Sequence, residues 1–185
     1  GGPDSIALLL ILKSHPNIVA LTVDHGLRPE SADEAYNVFL FCASLNIPHH
    51  ILIWKPQVSK TQDESRVARY ELLLNFCLKN NIDVLFLGHH QNDLIETFIM
   101  RIWQKSGLMG LASISSLSQN KGVTLARPLL GISKAELMDF VKNVPYVQDP
   151  SNRNMQYLRT QARCVDGQER YLKFIRLIGS LRSYI

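Results

Sequence analysis

Short apolar runs and helical stripes take turns along this chain, and that alternation leaves few folds open. Three runs, Ile18–Val23, His50–Trp54 and Val84–Gly88, are separated by segments of helical periodicity. An apolar run without polar alternation suits a strand covered on both faces, as in a parallel sheet. Helices between such strands imply right-handed crossovers and parallel pairing. The expected order is helix 5–14, strand 18–23, helix 32–45, strand 50–54, helix 62–80, strand 84–88, helix 94–104, strand 123–125 and helix 131–141. A loop at 55–61, a Gly- and Ser-rich connection at 106–119, a polar loop at 145–157 and a basic helix at 158–184 complete it. The expected class is α/β: a doubly wound, mainly parallel, five-stranded Rossmann-like sheet, its fifth strand lying ahead of Gly1. A boundary near Val144-Pro145 divides a nucleotide-binding domain, 1–144, from a basic extension, 145–185.

With 185 residues, 46% of them hydrophobic, one globular core is within reach. No apolar run approaches the ~20 residues that span a bilayer, and no signal peptide is visible. The net charge of +4 is compatible with a nucleic-acid partner without requiring one. It is uneven: from Arg153 onward six arginines and Lys173 face only Asp166 and Glu169. Cys42, Cys77 and Cys164 are far apart and odd in number, so a disulfide framework or zinc ribbon is not expected, and a reducing, cytoplasmic setting is. The chain lacks an initiator methionine and a strand before its first loop, so the expectation is a fragment or a start further upstream.

Three polar clusters stand at strand exits or loop–helix junctions: residues 1–5, 24–28 and 89–93. Doubly wound sheets bind ligands at the carboxyl ends of their strands. Gly1-Gly2-Pro3-Asp4-Ser5 ahead of a helix describes an anion cradle, since glycines admit close approach and helix-start N–H groups point at an anion. Asp4 would repel bare phosphate, which suggests magnesium between them. The plainer alternative is an N-cap on an ordinary amphipathic helix. Asp93, Glu96 and Thr97 share one helix face, suited either to a magnesium or ribose contact from Asp93 or to solvation alone. Arg66, Arg69 and Tyr70 share another; the arginines suit phosphate, or form surface pairs with Asp63, Glu64 and Glu71. Arg159 and Arg163 lie one turn apart, where an RNA backbone contact and a solvated face both fit. Ser31 with Glu34 reads as a capping box.

The motifs together are identified with a known family. Gly1–Ser5 resembles the SGGxDS loop of the PP-loop ATP pyrophosphatases without its leading Ser. Val23-Asp24-His25-Gly26-Leu27-Arg28-Pro29-Glu30-Ser31, Gln62–Tyr70, Gly88-His89-His90 with Asp93, Glu96 and Thr97, Ser106–Leu111, Arg127-Pro128-Leu129-Leu130 and Asp149-Pro150-Ser151-Asn152 resemble one branch, tRNA(Ile)-lysidine synthetase. The resemblance covers residues 1 to about 163. It implies a cytoplasmic enzyme that uses ATP and Mg2+ to adenylate the wobble cytidine of tRNA(Ile) with a CAU anticodon, after which L-lysine displaces AMP. A homodimer is one expected assembly. By the same resemblance Gly1, Gly2, Asp4, Ser5, Asp24 and His25 bind ATP, Asp4 and Asp93 place magnesium, and Asp4, Arg66 and Asp93 are catalytic. Arg69, His89, His90, Glu96, Arg127, Asn152, Arg159 and Arg163 then face lysine or tRNA.

The chain departs from the family pattern HHxDDQxET, with Asn92 for the first acid and Leu94 for Gln. Gln104-Lys105 replaces Arg-Gly, and Arg159-Thr160 replaces Arg-Asn. These departures leave a catalytically impaired remnant, still able to fold and bind ATP or tRNA, as the alternative expectation. The lack of paired cysteines argues against a third reading, tRNA thiolation.

Overall fold

A computed structural model describes residues 1–26, 29–54, 62–111, 114–147 and 157–182. The expected loop at 55–61 and the Asp149–Asn152 turn lie outside the described residues. The helices are α1 (Pro3–Leu12), α2 (Ser31–Ser44), α3 (Gln62–Lys79), α4 (Gln91–Trp103), α5 (Leu108–Leu111), α6 (Lys134–Phe140), α7 (Leu158–Arg163) and α8 (Gln168–Arg182). The strands are β1 (Ala20–Asp24), β2 (His49–Ile53), β3 (Val84–Phe86), β4 (Leu117–Asn120) and β5 (Val123–Ala126), with a 3-10 turn at Pro128–Gly131.

Helix–strand alternation produces parallel pairing where it was expected. β1 and β2 run parallel through the α2 crossover, with Thr22 opposite Ile51. β3 and β5 run parallel, with Leu85 opposite Leu125. The five strands are not joined as one sheet, however: hydrogen bonds among the described residues form β1-β2 and β3-β5-β4. β4 is antiparallel to β5 and lies within the connection expected to be irregular, as does α5. Its hairpin turns on Lys121 (φ 49°) and Gly122 (φ 84°). Two consecutive left-handed residues match the right-handed twist of the strands, and Gly takes that conformation without steric cost.

The basic stretch expected as one helix is two. α7 ends at Arg163 with Cys164 as its cap, Gly167 has φ 68°, and α8 begins at Gln168. The capping box expected at Ser31 is also displaced: Glu30 occupies the cap in a helical conformation and Ser31 is already in α2.

Three apolar clusters fix the layers. Ile6, Ala7 and Leu8 of α1 pack with Leu129, Leu137 and Val141, so α1 lies on α6. Leu73, Leu74 and Cys77 of α3 pack with Leu85, Val123 and Leu125, and the same cluster takes in Leu21, Val23 and Leu52 of the other sheet. Ile95 and Ile99 of α4 meet Ala162 of α7, with Tyr171, Leu172 and Ile175 of α8 against them. Full burial of a leucine such as Leu74 or Leu137 is worth about 2 kcal/mol. The first and third clusters thereby set the start of α1 and the face of α4 around the end of β3. No helix among the described residues is long and apolar enough to cross a membrane.

Candidate functional site

The first loop is shaped by what it must lie against. Gly2 is the N-cap of α1 in an extended conformation, and Pro3 opens the helix where no backbone donor is needed. Gly1 accepts a hydrogen bond from the Val147 N–H at 2.9 Å through its carbonyl oxygen. At the exit of β3, Gly88 faces the loop backbone. A Cβ there would stand 3.1 Å from the Asp4 carbonyl oxygen, 3.2 Å from its carbon and 3.4 Å from the Ser5 nitrogen. A side chain there would push the start of α1 back from β3 by a few tenths of an ångström. Gly88→Ala is therefore expected to cost about 1–3 kcal/mol of stability in urea denaturation, because the atoms it meets are backbone and cannot rotate away.

That approach delivers Asp4 to the β3 exit. Its Oδ1 accepts from the Lys134 ammonium at 2.6 Å and lies 3.6 Å from His90 Nε2. The same Nε2 is 3.7 Å from Asp93 Oδ2. One imidazole thus stands between the two acids expected from the sequence. Burial pushes the Asp4 carboxyl up, but hydrogen bonds and charge from His90 and Lys134 outweigh it and hold the group below its usual value. Asp93 also caps α4, since Oδ2 accepts the His90 backbone N–H at 2.9 Å. This explains why α4 begins at Gln91 rather than Leu94.

Asp93 and Glu96 share the expected face, and that face is neither solvated nor bare. Arg159 donates to Asp93 Oδ1, and its Nε donates to Glu96 Oε2 at 2.7 Å. Arg163 Nε donates to Glu96 Oε1 at 2.7 Å. Glu96 is 3% exposed, so these are desolvated, charge-assisted bonds rather than surface pairs. Burial lowers the Arg159 guanidinium, but the pull of Asp93 and Glu96 more than reverses it, and the net shift is upward.

The third group is positive. Arg66 and Arg69 stand exposed on α3. Desolvation lowers the Arg69 guanidinium; Tyr70 opposes it, and the charges of Arg66 and Arg159 add smaller lowering effects. Arg127, at the end of β5, donates from Nη1 to the Ser115 carbonyl at 2.9 Å and to Ser118 Oγ at 3.0 Å. His89 sits where these charges meet. Its pKa falls to about 4, chiefly through desolvation; the charge of Asp93 opposes the fall, and the smaller effects of Arg127, Arg159 and Arg66 add to it. His89 is therefore neutral at pH 7. Between pH ~6.5 and ~4 the unfolded chain takes up a proton that the folded one refuses, so stability falls as pH falls. The expected loss from this residue is up to about 3 kcal/mol. Urea denaturation at pH 7 and pH 4.5 should show that slope reduced in His89→Gln.

Asp24 and His25 stand at the end of β1. Asp24 Oδ1 accepts from the Gly26 N–H at 2.9 Å, and His25 meets Trp54 edge-on at 5.8 Å. Ser5 is exposed in the first turn of α1. Asn152 is outside the described residues. The structure also supplies two residues that the sequence did not single out for these contacts. Lys134 reaches Asp4 from 130 positions away. Asn92, a departure from the family pattern, accepts the Lys134 backbone N–H at 2.8 Å through its side-chain oxygen. Ser133, which caps α6, was legible as a helix start; nothing local marks where the next side chain reaches.

A divalent cation such as magnesium takes oxygen ligands and is commonly bound through one or two carboxylates plus phosphate oxygens. Asp4 and Asp93, on either side of one imidazole, fit that donor set. Among the described residues no group of three or more His, Cys, Asp or Glu is placed to hold a metal, so a ligand would have to complete the coordination.

Fold and site define an α/β, Rossmann-like domain whose charged groups collect where β3 gives way to α4 and the first loop enters α1. The chain belongs to the PP-loop domain family, which matches residues 1–165. It is 39% identical over 172 residues to the tRNA(Ile)-lysidine synthase of Ruegeria pomeroyi, covering 88% of this chain and 41% of that protein. It is 40% identical over 173 residues to the enzyme of that name from Orientia tsutsugamushi, covering 88% and 39%. For the Zymomonas mobilis enzyme the values are 39% over 173 residues, 88% and 52%. The chain thus spans about two fifths to half the length of these curated relatives. Among solved structures, the U34-tRNA thiolase NcsA of Methanococcus maripaludis, with its [4Fe-4S] cluster, matches all of this chain and 70% of its own. Its TM-score is 0.80 at 21% identity, a likeness of fold.

Proposed function

We propose that this chain is the catalytic domain of a tRNA(Ile)-lysidine synthase. In the proposed reaction the C2 oxygen of the wobble cytidine attacks the α-phosphate of ATP, and pyrophosphate leaves. The lysine ε-amine then attacks C2, AMP leaves with the oxygen, and the amine sheds its proton. The observation that carries the reading is the meeting of Asp4, His90 and Asp93 at the β3 exit beside a group of arginines. The names of the relatives narrow the substrate from any nucleotide to this tRNA and lysine.

The roles follow from charge and position. Gly1, Gly2 and Ser5 bind the pyrophosphate part of ATP, where helix-start N–H groups favour an anion. Asp24 and His25 complete the nucleotide site at the neighbouring strand end. Asp4 and Asp93 would hold magnesium, which when bound neutralises phosphate charge. Arg66 stabilises charge that grows on the α-phosphate or the activated base, as a preplaced cation does. Arg69 and Arg127 offer charge to the RNA backbone, and Asn152 is assigned to the tRNA side by resemblance. His89, neutral at pH 7, and the neighbouring His90 offer hydrogen bonds to the substrate. Glu96, Arg159 and Arg163 form the wall on the tRNA and lysine side, and residues 145–185 begin the tRNA-contacting region. For the fold, the two sheets are read as parts of one doubly wound, mainly parallel five-stranded sheet. Support comes from α3, which covers strands of both.

Incubation with ATP, magnesium, L-lysine and a CAU-anticodon tRNA(Ile) tests the reading. AMP and pyrophosphate release that needs the tRNA is expected. Release that ignores the tRNA, or no release, contradicts it.

A further inference from the structure

We propose that Lys134 is an anion-holding residue of the first loop, one that exchanges Asp4 for a pyrophosphate oxygen when ligand binds. The inference rests on the reading of that loop as a pyrophosphate site and adds a residue to it. Asp4 stands in the first turn of α1, where an anion would be drawn, and an unbalanced carboxylate there would oppose binding. In the structure it is balanced by Lys134, whose ammonium is 2.6 Å from Oδ1.

The two ends of Lys134 behave differently. Its backbone is pinned: its N–H donates to Asn92 Oδ1 at 2.8 Å, and the preceding Ser133 donates from N–H and hydroxyl to Glu136 at 2.8 and 2.6 Å. Its side chain is 38% exposed. A lysine is a compact point charge on a flexible stem, so such a residue can keep its place and turn its charge through several ångströms. Asn92 adjoins Asp93, so the chain Asp93–Asn92–Lys134–Asp4 links both acids of the site to one mobile cation. When Asp4 turns to a metal ion, the ammonium is released beside the loop, and phosphate is the anion at hand. The bonds changed are hydrogen bonds and ion pairs only.

Calorimetric titration with inorganic pyrophosphate reads this contact without turnover. With magnesium present, Lys134→Gln is expected to weaken binding about tenfold or more, while Lys134→Arg stays within about threefold of the parent. Without magnesium, Asp4→Asn is expected to bind pyrophosphate more tightly than the parent, and adding Lys134→Gln to it should cancel that gain. Parent-like binding by Lys134→Gln, or a gain that survives in the double variant, overturns the inference alone. A parent protein that binds no pyrophosphate overturns the loop reading with it. Circular dichroism checks the fold; should Lys134→Gln unfold, failure of Asp4→Asn to tighten magnesium-free binding overturns the inference.

Discussion

Asp4→Asn is expected to lower tRNA-dependent ATP consumption on the order of 10²- to 10³-fold while the protein remains folded. The size is that of removing one group placed to offset charge in a transition state. Asn keeps the volume and one acceptor oxygen, so the packing of α1 on α6 stands. The charge that would meet the metal is lost, and Lys134 and His90 lose the anion they face. Steady-state measurement of AMP release, beside a thermal melt, separates the effects. A loss of activity that tracks a loss of folded protein would speak against a chemical role for Asp4, and full activity would exclude one.

Glu96→Ala is expected to be the most destabilising single change in the site, by about 2–4 kcal/mol in urea denaturation. Breaking a buried ion pair by removing one partner costs about 3–5 kcal/mol because the other charge is left uncompensated. The lower figure allows for solvent at the arginines, which are 31% and 39% exposed. Glu96 is the shared anchor of Arg159 and Arg163, so its loss removes one partner from each arginine at once and leaves Arg159 its bond to Asp93. A double-mutant cycle with Arg163→Ala should return a coupling of about 1–3 kcal/mol. A cost below about 0.5 kcal/mol would place these pairs among ordinary surface contacts.

The sequence made the parallel strands legible because their burial shows in composition: Leu21 and Val23, Leu52, Leu85 and Leu125 all join one cluster. β4 carried no such mark. Leu-Ser-Gln-Asn is mostly exposed and pairs because β5 lies beside it and Lys121-Gly122 turns the chain. The break between α7 and α8 was signalled only by Asp166-Gly167, hidden in a stretch of helix-forming residues. At the site, the sequence named Asp93, Glu96, Arg159 and Arg163 but not their pairing. That pairing joins residues more than sixty positions apart and depends on Ala162 seating α7 against Ile95 and Ile99. Asn92 read as a lost acid; in the structure its oxygen serves the Lys134 backbone. The requirement at Gly88 was equally silent, since it comes from the backbone of a loop more than eighty residues earlier.

The central claim is that this domain joins lysine to a cytidine of tRNA(Ile) with ATP. Isotope-labelled lysine, ATP, magnesium and CAU-anticodon tRNA(Ile) are incubated with the protein, and the tRNA is digested and its nucleosides are weighed by mass spectrometry. The account predicts a labelled nucleoside with the mass of lysidine at the wobble position, absent without ATP and formed far more slowly by the Asp4→Asn variant. An unmodified wobble cytidine in the complete reaction would contradict it.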